Sequence, residues 1–199
     1  MKTALLIVDV QPDFCPGGAL ATARGNEVAE KIAAIQPEYD TVVTTQDWHI
    51  DPAGHFSTEP DFVDTWPVHC VAGTPGAALH PALLPADAAF RKGAFTAAYS
   101  GFEGTLAGHG DTTGPDTGEV TGEETGKGQG LEEWLREEGI GRLDICGIAT
   151  DHCVRATAAD ALRAGFSVRI LAGLCSPVDE KRADAALEEL SQDGATIVY

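Results

Sequence analysis

Short apolar runs rich in Val, Ile and Leu alternate along this chain with longer amphipathic stretches, and that alternation constrains the fold more than any other feature of the sequence. A strand buried on both faces reads as a continuous apolar run, and parallel neighbours need a helical crossover between them. Residues 4–8, 41–45, 88–91, 143–148, 167–171 and 196–199 are the predicted strands, with helices predicted over 26–35, 130–138, 151–164 and 179–192. In the third helix Val154, Ala158, Ala161 and Leu162 share one face, and Gly165 is placed to end it. The expected architecture is an α/β three-layer sandwich, α/β/α, around a six-stranded parallel sheet of Rossmann-like type.

With 199 residues and 43% hydrophobic content, the chain is expected to form a single domain spanning 1–199 with a substantial core. A net charge of −18 opposes binding to a phosphate backbone, so no nucleic-acid partner is expected. No apolar run approaches the ~20 residues that span a bilayer, and the N-terminal run meets Asp9 too early for a signal peptide. A cytoplasmic protein with no membrane partner is the expectation. The five cysteines are an odd number without a CxxC pair, which favours reduced thiols.

Two stretches break the alternation. Residues 48–87 are rich in Pro, Gly, His and aromatics, which suggests a functional loop region over the sheet edge. Residues 110–126 read GDTTGPDTGEVTGEETG, a G-x-x-T repeat in which glycine recurs every fourth position and acids prevail. Such a segment has little apolar surface to bury, so a low-complexity insertion at about 105–129 is expected as an exposed acidic loop dispensable for chemistry. A lid or a contact in a homo-oligomer is its other reading.

In an open parallel sheet the strands deliver their carboxyl ends to one edge, where ligands bind. Here the first strand leads to Asp9, the second to Asp47, the third to Lys92, and the fourth runs on to Cys153. Singly, each has a structural reading: Asp9 as a cap or an arginine partner, Lys92 as a surface lysine, Cys153 as a small core residue. Thr150 or Asp151 is placed as an N-cap, however, which puts Cys153 in a first helical turn where the dipole favours thiolate. Asp9 as base and Lys92 as charge partner would complete a nucleophilic site, although a lysine neighbour lowers an aspartate's pKa and burial raises it. His152, adjacent to Cys153, points about 100° away on a helix and is expected to be structural.

Beyond the second strand, Asp47, His49, His55 and His69 follow the pattern D-x-H-x5-H-x13-H, with Asp51 as a rival carboxylate in a turn before Pro52. One oxygen and three nitrogen ligands suit a divalent ion, Zn²⁺ first and Fe²⁺ or Mn²⁺ as alternatives.

The segments IVDVQPDFCPGGAL, TTQDWHIDPAGHFS, WPVHCVAGTPGA, KGAFTAAYSGFEG and GIATDHCV, in that order along nearly the whole chain, resemble the nicotinamidase (pyrazinamidase) branch of the isochorismatase-like cysteine hydrolases. The resemblance implies an Asp-Lys-Cys triad at Asp9, Lys92 and Cys153, and one divalent metal on Asp47, His49, His55 and His69. It also implies an oxyanion hole from the backbone N–H groups of Ala149 and Cys153, a cis peptide between Ile148 and Ala149, and a pyridine pocket walled by Phe14, Trp66 and Tyr99. The implied activity is hydrolysis of nicotinamide, and of pyrazinamide, within NAD salvage. A related hydrolase of another small carboxamide or ureido compound is the alternative, and a non-enzymatic metal- or redox-sensing protein a remote one. The tetrad insertion departs from the family, whose close members have a short loop after residues matching Phe102, Glu103 and Gly104.

Overall fold

A computed structural model describes residues 1–108 and 128–199. Seven strands form one sheet in the order β4-β3-β2-β1-β5-β6-β7. They are β1 (Lys2–Val8), β2 (Val42–Asp47), β3 (Ala88–Lys92), β4 (Thr105–Leu106), β5 (Ile140–Ile148), β6 (Ser167–Ser176) and β7 (Thr196–Val198). Six are parallel, as the alternation requires, and β4 adds a two-residue antiparallel edge against β3. The helices are α1 (Gly25–Ile35), α2 (Leu131–Glu137), α3 (Arg155–Arg163) and α4 (Glu180–Gln192). No helix among the described residues is long and apolar enough to cross a membrane.

The helical spacing expected from the sequence is what buries each helix on the sheet. In α4, Ala183, Ala186, Leu187 and Leu190 are buried at positions i, i+3, i+4 and i+7, and Asp179 caps the helix by accepting from the Arg182 N–H at 2.9 Å. β1 is buried from Ala4 to Val8 because it pairs on both sides, Leu6 with Val43 of β2 and with Ile145 of β5. The strand order reverses direction between β1 and β5, and at such a switch point the carboxyl ends of the strands open into a crevice. Asp9 follows β1 directly and Cys153 follows β5, so the two residues flank that crevice.

Two expectations need correction. β5 begins at Ile140 and β6 continues to Ser176, so Cys175 lies within a strand, paired in register with Gly147, rather than after one. At the two ends of the insertion expected from about 105 to 129, Thr105 bridges Gly130, and the Leu106 N–H donates to the Gln129 carbonyl at 2.9 Å. Its repeat, 110–126, lies outside the described residues. The turn carrying Cys153 is π-helical over Thr150–Val154, with α3 starting only at Arg155.

Gly147 makes that crevice edge possible. Its φ is +123°, and a Cβ there would lie 2.1 Å from the Val8 carbonyl oxygen of the adjacent central strand. Neither backbone can yield, so Gly147→Ala is expected to lower unfolding free energy by about 3 kcal/mol or more. Gly139→Ala, at φ +70° with open space around it, should cost only about 1 kcal/mol of left-handed strain. Denaturant midpoints of the two variants check this; equal losses would contradict it.

Candidate active site

Lys92 ends β3 with its side chain fully buried. A buried ammonium needs compensating charge and acceptors, and three converge on it. Nζ lies 3.0 Å from Asp9 Oδ2, donates to the Ala98 carbonyl at 3.1 Å, and makes a short bond to Asp47 Oδ1. It also reaches Cys153 Sγ at 3.8 Å. The four residues expected at the sheet edge are therefore in one cluster, Asp47 among them. Sequence reasoning assigned Asp47 to the metal alone; the parallel register that sets Asp47 opposite Lys92 is the signal that links them.

The electrostatics differ from the thiolate expected of a first helical turn. Burial pushes the Cys153 thiol well up, Lys92 opposes this, and the Asp9 and Asp47 carboxylates add to the rise. The resting side chain is thus a thiol that needs a base. Burial also raises the carboxyl pKa of Asp9 against the pull of Lys92, which resolves the tension between the two effects in favour of a better base. Thr45 Oγ1 donates to Asp9 Oδ1 at 2.6 Å and fixes its orientation. Asp9 itself sits at φ +48°, an uncommon conformation for a non-glycine residue at the strand end.

The peptide bond between Ile148 and Ala149 is cis. The Ala149 carbonyl then accepts from the N–H groups of His152 at 3.0 Å and Val154 at 3.1 Å, and the second bond defines the wider turn. The cap residue is Ala149, with no side-chain cap, so neither Thr150 nor Asp151 serves as the expected N-cap. The Asp151 carboxylate instead accepts from the Val178 N–H.

Beside Lys92, the side-chain nitrogens of His49, His55 and His69 lie within 4.8 Å of one another, all three residues buried. Asp47 Oδ2 is 3.7 Å from His49 Nε2 and 3.9 Å from His69 Nε2. Carbonyls fix two of the rings: His49 Nδ1 pairs with Gly93 O and His69 Nδ1 with Pro67 O, each at 2.7 Å. Each leaves Nε2 turned to the cluster, an arrangement typical of metal-ligating imidazoles. His49 Nε2 and His55 Nδ1 are buried without a hydrogen-bond partner, an unfavourable state unless a ligand takes their lone pairs. Burial and the neighbouring imidazoles lower His55 to about 4, and burial lowers His69. Burial works against ionisation of Asp47, but Lys92 and His49 hold it well below the usual carboxylate range. Three imidazoles with one carboxylate fit a divalent metal. Asp51, the rival carboxylate, is exposed and does not belong to the cluster.

A half-open pocket lies over these groups. Phe14, Trp66 and Tyr99 line it with His55, His69, Ala149 and Cys153, and the Trp66 indole N–H donates to the Tyr99 hydroxyl at 3.1 Å. His152 lines it too, its ring 5.3 Å from that of Trp66 and nearly perpendicular. Helix geometry, which separates His152 from Cys153, carries no signal of this, because the residue it meets is 86 positions earlier in the chain.

Residues 3–198 match the family described as the Isochorismatase domain. The chain belongs to the isochorismatase family. This isochorismatase-family chain is 46% identical over 200 residues to the nicotinamidase/pyrazinamidase of Mycobacterium tuberculosis, across 98% of its own length and 97% of the relative's. Two solved structures resemble it over nearly their full length. The pyrazinamidase of Pyrococcus horikoshii in complex with zinc is 34% identical with a TM-score of 0.76, covering 100% of this chain and 99% of that one. The L. infantum protein PnC1 in complex with nicotinate is 33% identical with a TM-score of 0.80, covering 99% and 92%.

The histidine cluster makes a direct prediction for this family member. Purified with Zn²⁺ present, it should retain about one ion per chain by elemental analysis, and His49→Ala or His55→Ala should fall below about a tenth of that. Free ion at about a hundred times its dissociation constant should stabilise the fold by about 2.7 kcal/mol, read as a rise in melting temperature that both variants lose. Wild-type protein that retains no ion would contradict the assignment.

Proposed function

We propose that this chain is an amidohydrolase that converts nicotinamide to nicotinate and ammonia, and pyrazinamide by the same chemistry, through a thioester on Cys153. The observation that carries this reading is that Cys153 lines an aromatic-walled pocket together with His55 and His69, while Lys92 behind it contacts both Cys153 Sγ and Asp9. The names of the relatives agree with it.

Asp9 accepts the proton of Cys153 Sγ as sulfur bonds to the carboxamide carbon, whose oxygen takes up the displaced electron pair. The backbone N–H groups of Ala149 and Cys153 hold that oxyanion; such donors contribute on the order of 3 kcal/mol each in hydrolases. Collapse of the adduct breaks the carbon–nitrogen bond, and Asp9 returns its proton to the departing nitrogen, which leaves as ammonia. Water then attacks the thioester, Asp9 taking its proton and passing it to sulfur as the carbon–sulfur bond breaks. Lys92 keeps its charge throughout, offsetting the negative charge that moves between Asp9 and sulfur. Phe14, Trp66 and Tyr99 enclose the ring and exclude water. Asp47, His49, His55 and His69 would hold a divalent ion, zinc in preference to iron or manganese, and when bound it supplies a Lewis acid for the ring nitrogen. Nicotinate as product agrees with a role in NAD salvage.

Ammonia release from nicotinamide, measured against a panel of small carboxamides and ureido compounds, tests the reading: nicotinamide and pyrazinamide should be turned over and the ureido compounds should not. Preference for a ureido compound would favour a different branch of the family, and no release from any amide would sink the enzymatic reading. Cys153→Ala should lower kcat/KM about a thousandfold or more with fold and bound metal unchanged. Retention of a tenth of the activity would overturn the nucleophile assignment.

A further inference from the structure

Asp151 stands two residues before Cys153, yet its carboxylate turns away from the helix it precedes. Oδ1 accepts from the Val178 N–H at 2.9 Å, and Oδ2 accepts from the Asp179 N–H and from Arg182 Nε–H, both at 3.2 Å. His152 Nδ1 lies 3.4 Å from Oδ1. The Asp151 side chain is 1% exposed, whereas that of Arg182 is 50% exposed. Burial opposes ionisation here, but contacts with His152 and the Val178 N–H lower the carboxyl to about 2, so the group is a carboxylate at any working pH.

These bonds join two parts of the pocket that are distant in sequence. Val178 lines the same pocket as Cys153, Trp66 and His152, and Asp179 caps α4. Nothing in the catalytic cycle uses Asp151, which makes no contact with Asp9, Lys92 or the histidine cluster among the interactions described. Charge-assisted bonds to backbone N–H groups are about twice as strong as neutral ones, so a buried carboxylate is well suited to fix one main-chain segment against another.

We propose that Asp151 is a positioning residue: it holds the Val178–Asp179 backbone against the turn bearing Cys153 and so sets the gap between the nucleophile and one wall of the pocket. This rests on the reading of the pocket as an amide-hydrolysing site. Asp151→Asn keeps size and shape but removes the charge and presents an amide N–H to a group of donors; Asp151→Ala removes the acceptors outright. Arg182→Ala leaves both backbone bonds in place.

The experiment measures steady-state kinetics on nicotinamide for the metal-loaded full chain and, separately, the rate at which iodoacetamide alkylates Cys153, located by peptide mass mapping. For Asp151→Asn, KM should rise about tenfold and kcat should also fall, since displacements of an ångström can cost about a hundredfold in rate. Alkylation of Cys153 should be at least about fivefold faster because the Val178 wall opens, and Arg182→Ala should stay within about twofold of wild type in both measurements. A merely structural Asp151 would reduce the active fraction, lowering kcat at unchanged KM. Unchanged KM with an alkylation rate within twofold of wild type overturns the proposal. If wild-type protein releases no ammonia from nicotinamide, the substrate reading fails on its own and the alkylation comparison decides the role of Asp151. Should both Asp151 variants fail to fold, Val178→Gly carries the test: it keeps every bond to Asp151 but removes the wall, and must raise KM and the alkylation rate, or the proposal falls.

Discussion

The buried ammonium of Lys92 is the constraint on which the site depends. A charge with no solvent exposure is stable only if the protein supplies opposite charge and acceptors at contact distance, and here Asp9, Asp47 and the Ala98 carbonyl do so together. Each partner is thereby fixed. Asp9 is held beside Lys92 and Asp47 beside the histidines, and Ala98, which lines the pocket, is tied to the ammonium through its carbonyl. The ammonium also contacts Cys153 Sγ, so Cys153, Asp9, Asp47 and the adjacent histidines share one electrostatic unit. Removing Lys92 would leave the Asp9 and Asp47 carboxylates buried side by side without their shared counter-charge.

The sheet topology explains why this unit assembles where it does. β1 and β5 are adjacent and parallel, and the chain leaves them in opposite directions across the sheet. The crevice between their carboxyl ends receives Asp9 from one side and the Cys153 turn from the other. β2 and β3 bring Asp47 and Lys92 into register as direct neighbours. The long segment after β2 contributes no helix or long strand. It folds back on itself instead, through the His49–Val71 and Phe56–Trp66 bridges, and so sets His49, His55 and His69 around one point.

Much of this is legible in the sequence because parallel strands obey a simple rule: the residues at the carboxyl end of each buried apolar run arrive at a common edge. That rule places Asp9, Asp47, Lys92 and Cys153 together without any coordinates. Other features escape it for physical reasons. Asp151 has the composition of an N-cap, and only the fold shows that donors from 178, 179 and 182 compete for its carboxylate and win. A π turn and an α turn share the same residue preferences, so the geometry around Cys153 is set by the Ala149 carbonyl rather than by side chains. The helix dipole suggests thiolate, but full burial beside two carboxylates outweighs it. His152 reaches Trp66 through a contact of long sequence separation, which no local periodicity reveals.

A thiol that begins protonated, a carboxyl raised by burial and a lysine that stays charged together describe a nucleophile activated within the bound complex rather than beforehand. On the proposed function, attack leaves a thioester on Cys153 Sγ. Rapid quenching of the metal-loaded protein during turnover of nicotinamide, with peptide mass mapping of the quenched sample, tests this most directly. The predicted result is a nicotinoyl adduct on the peptide containing Cys153, lost when nicotinamide is exhausted. Turnover with no adduct on Cys153, or with an adduct on another residue, would contradict it.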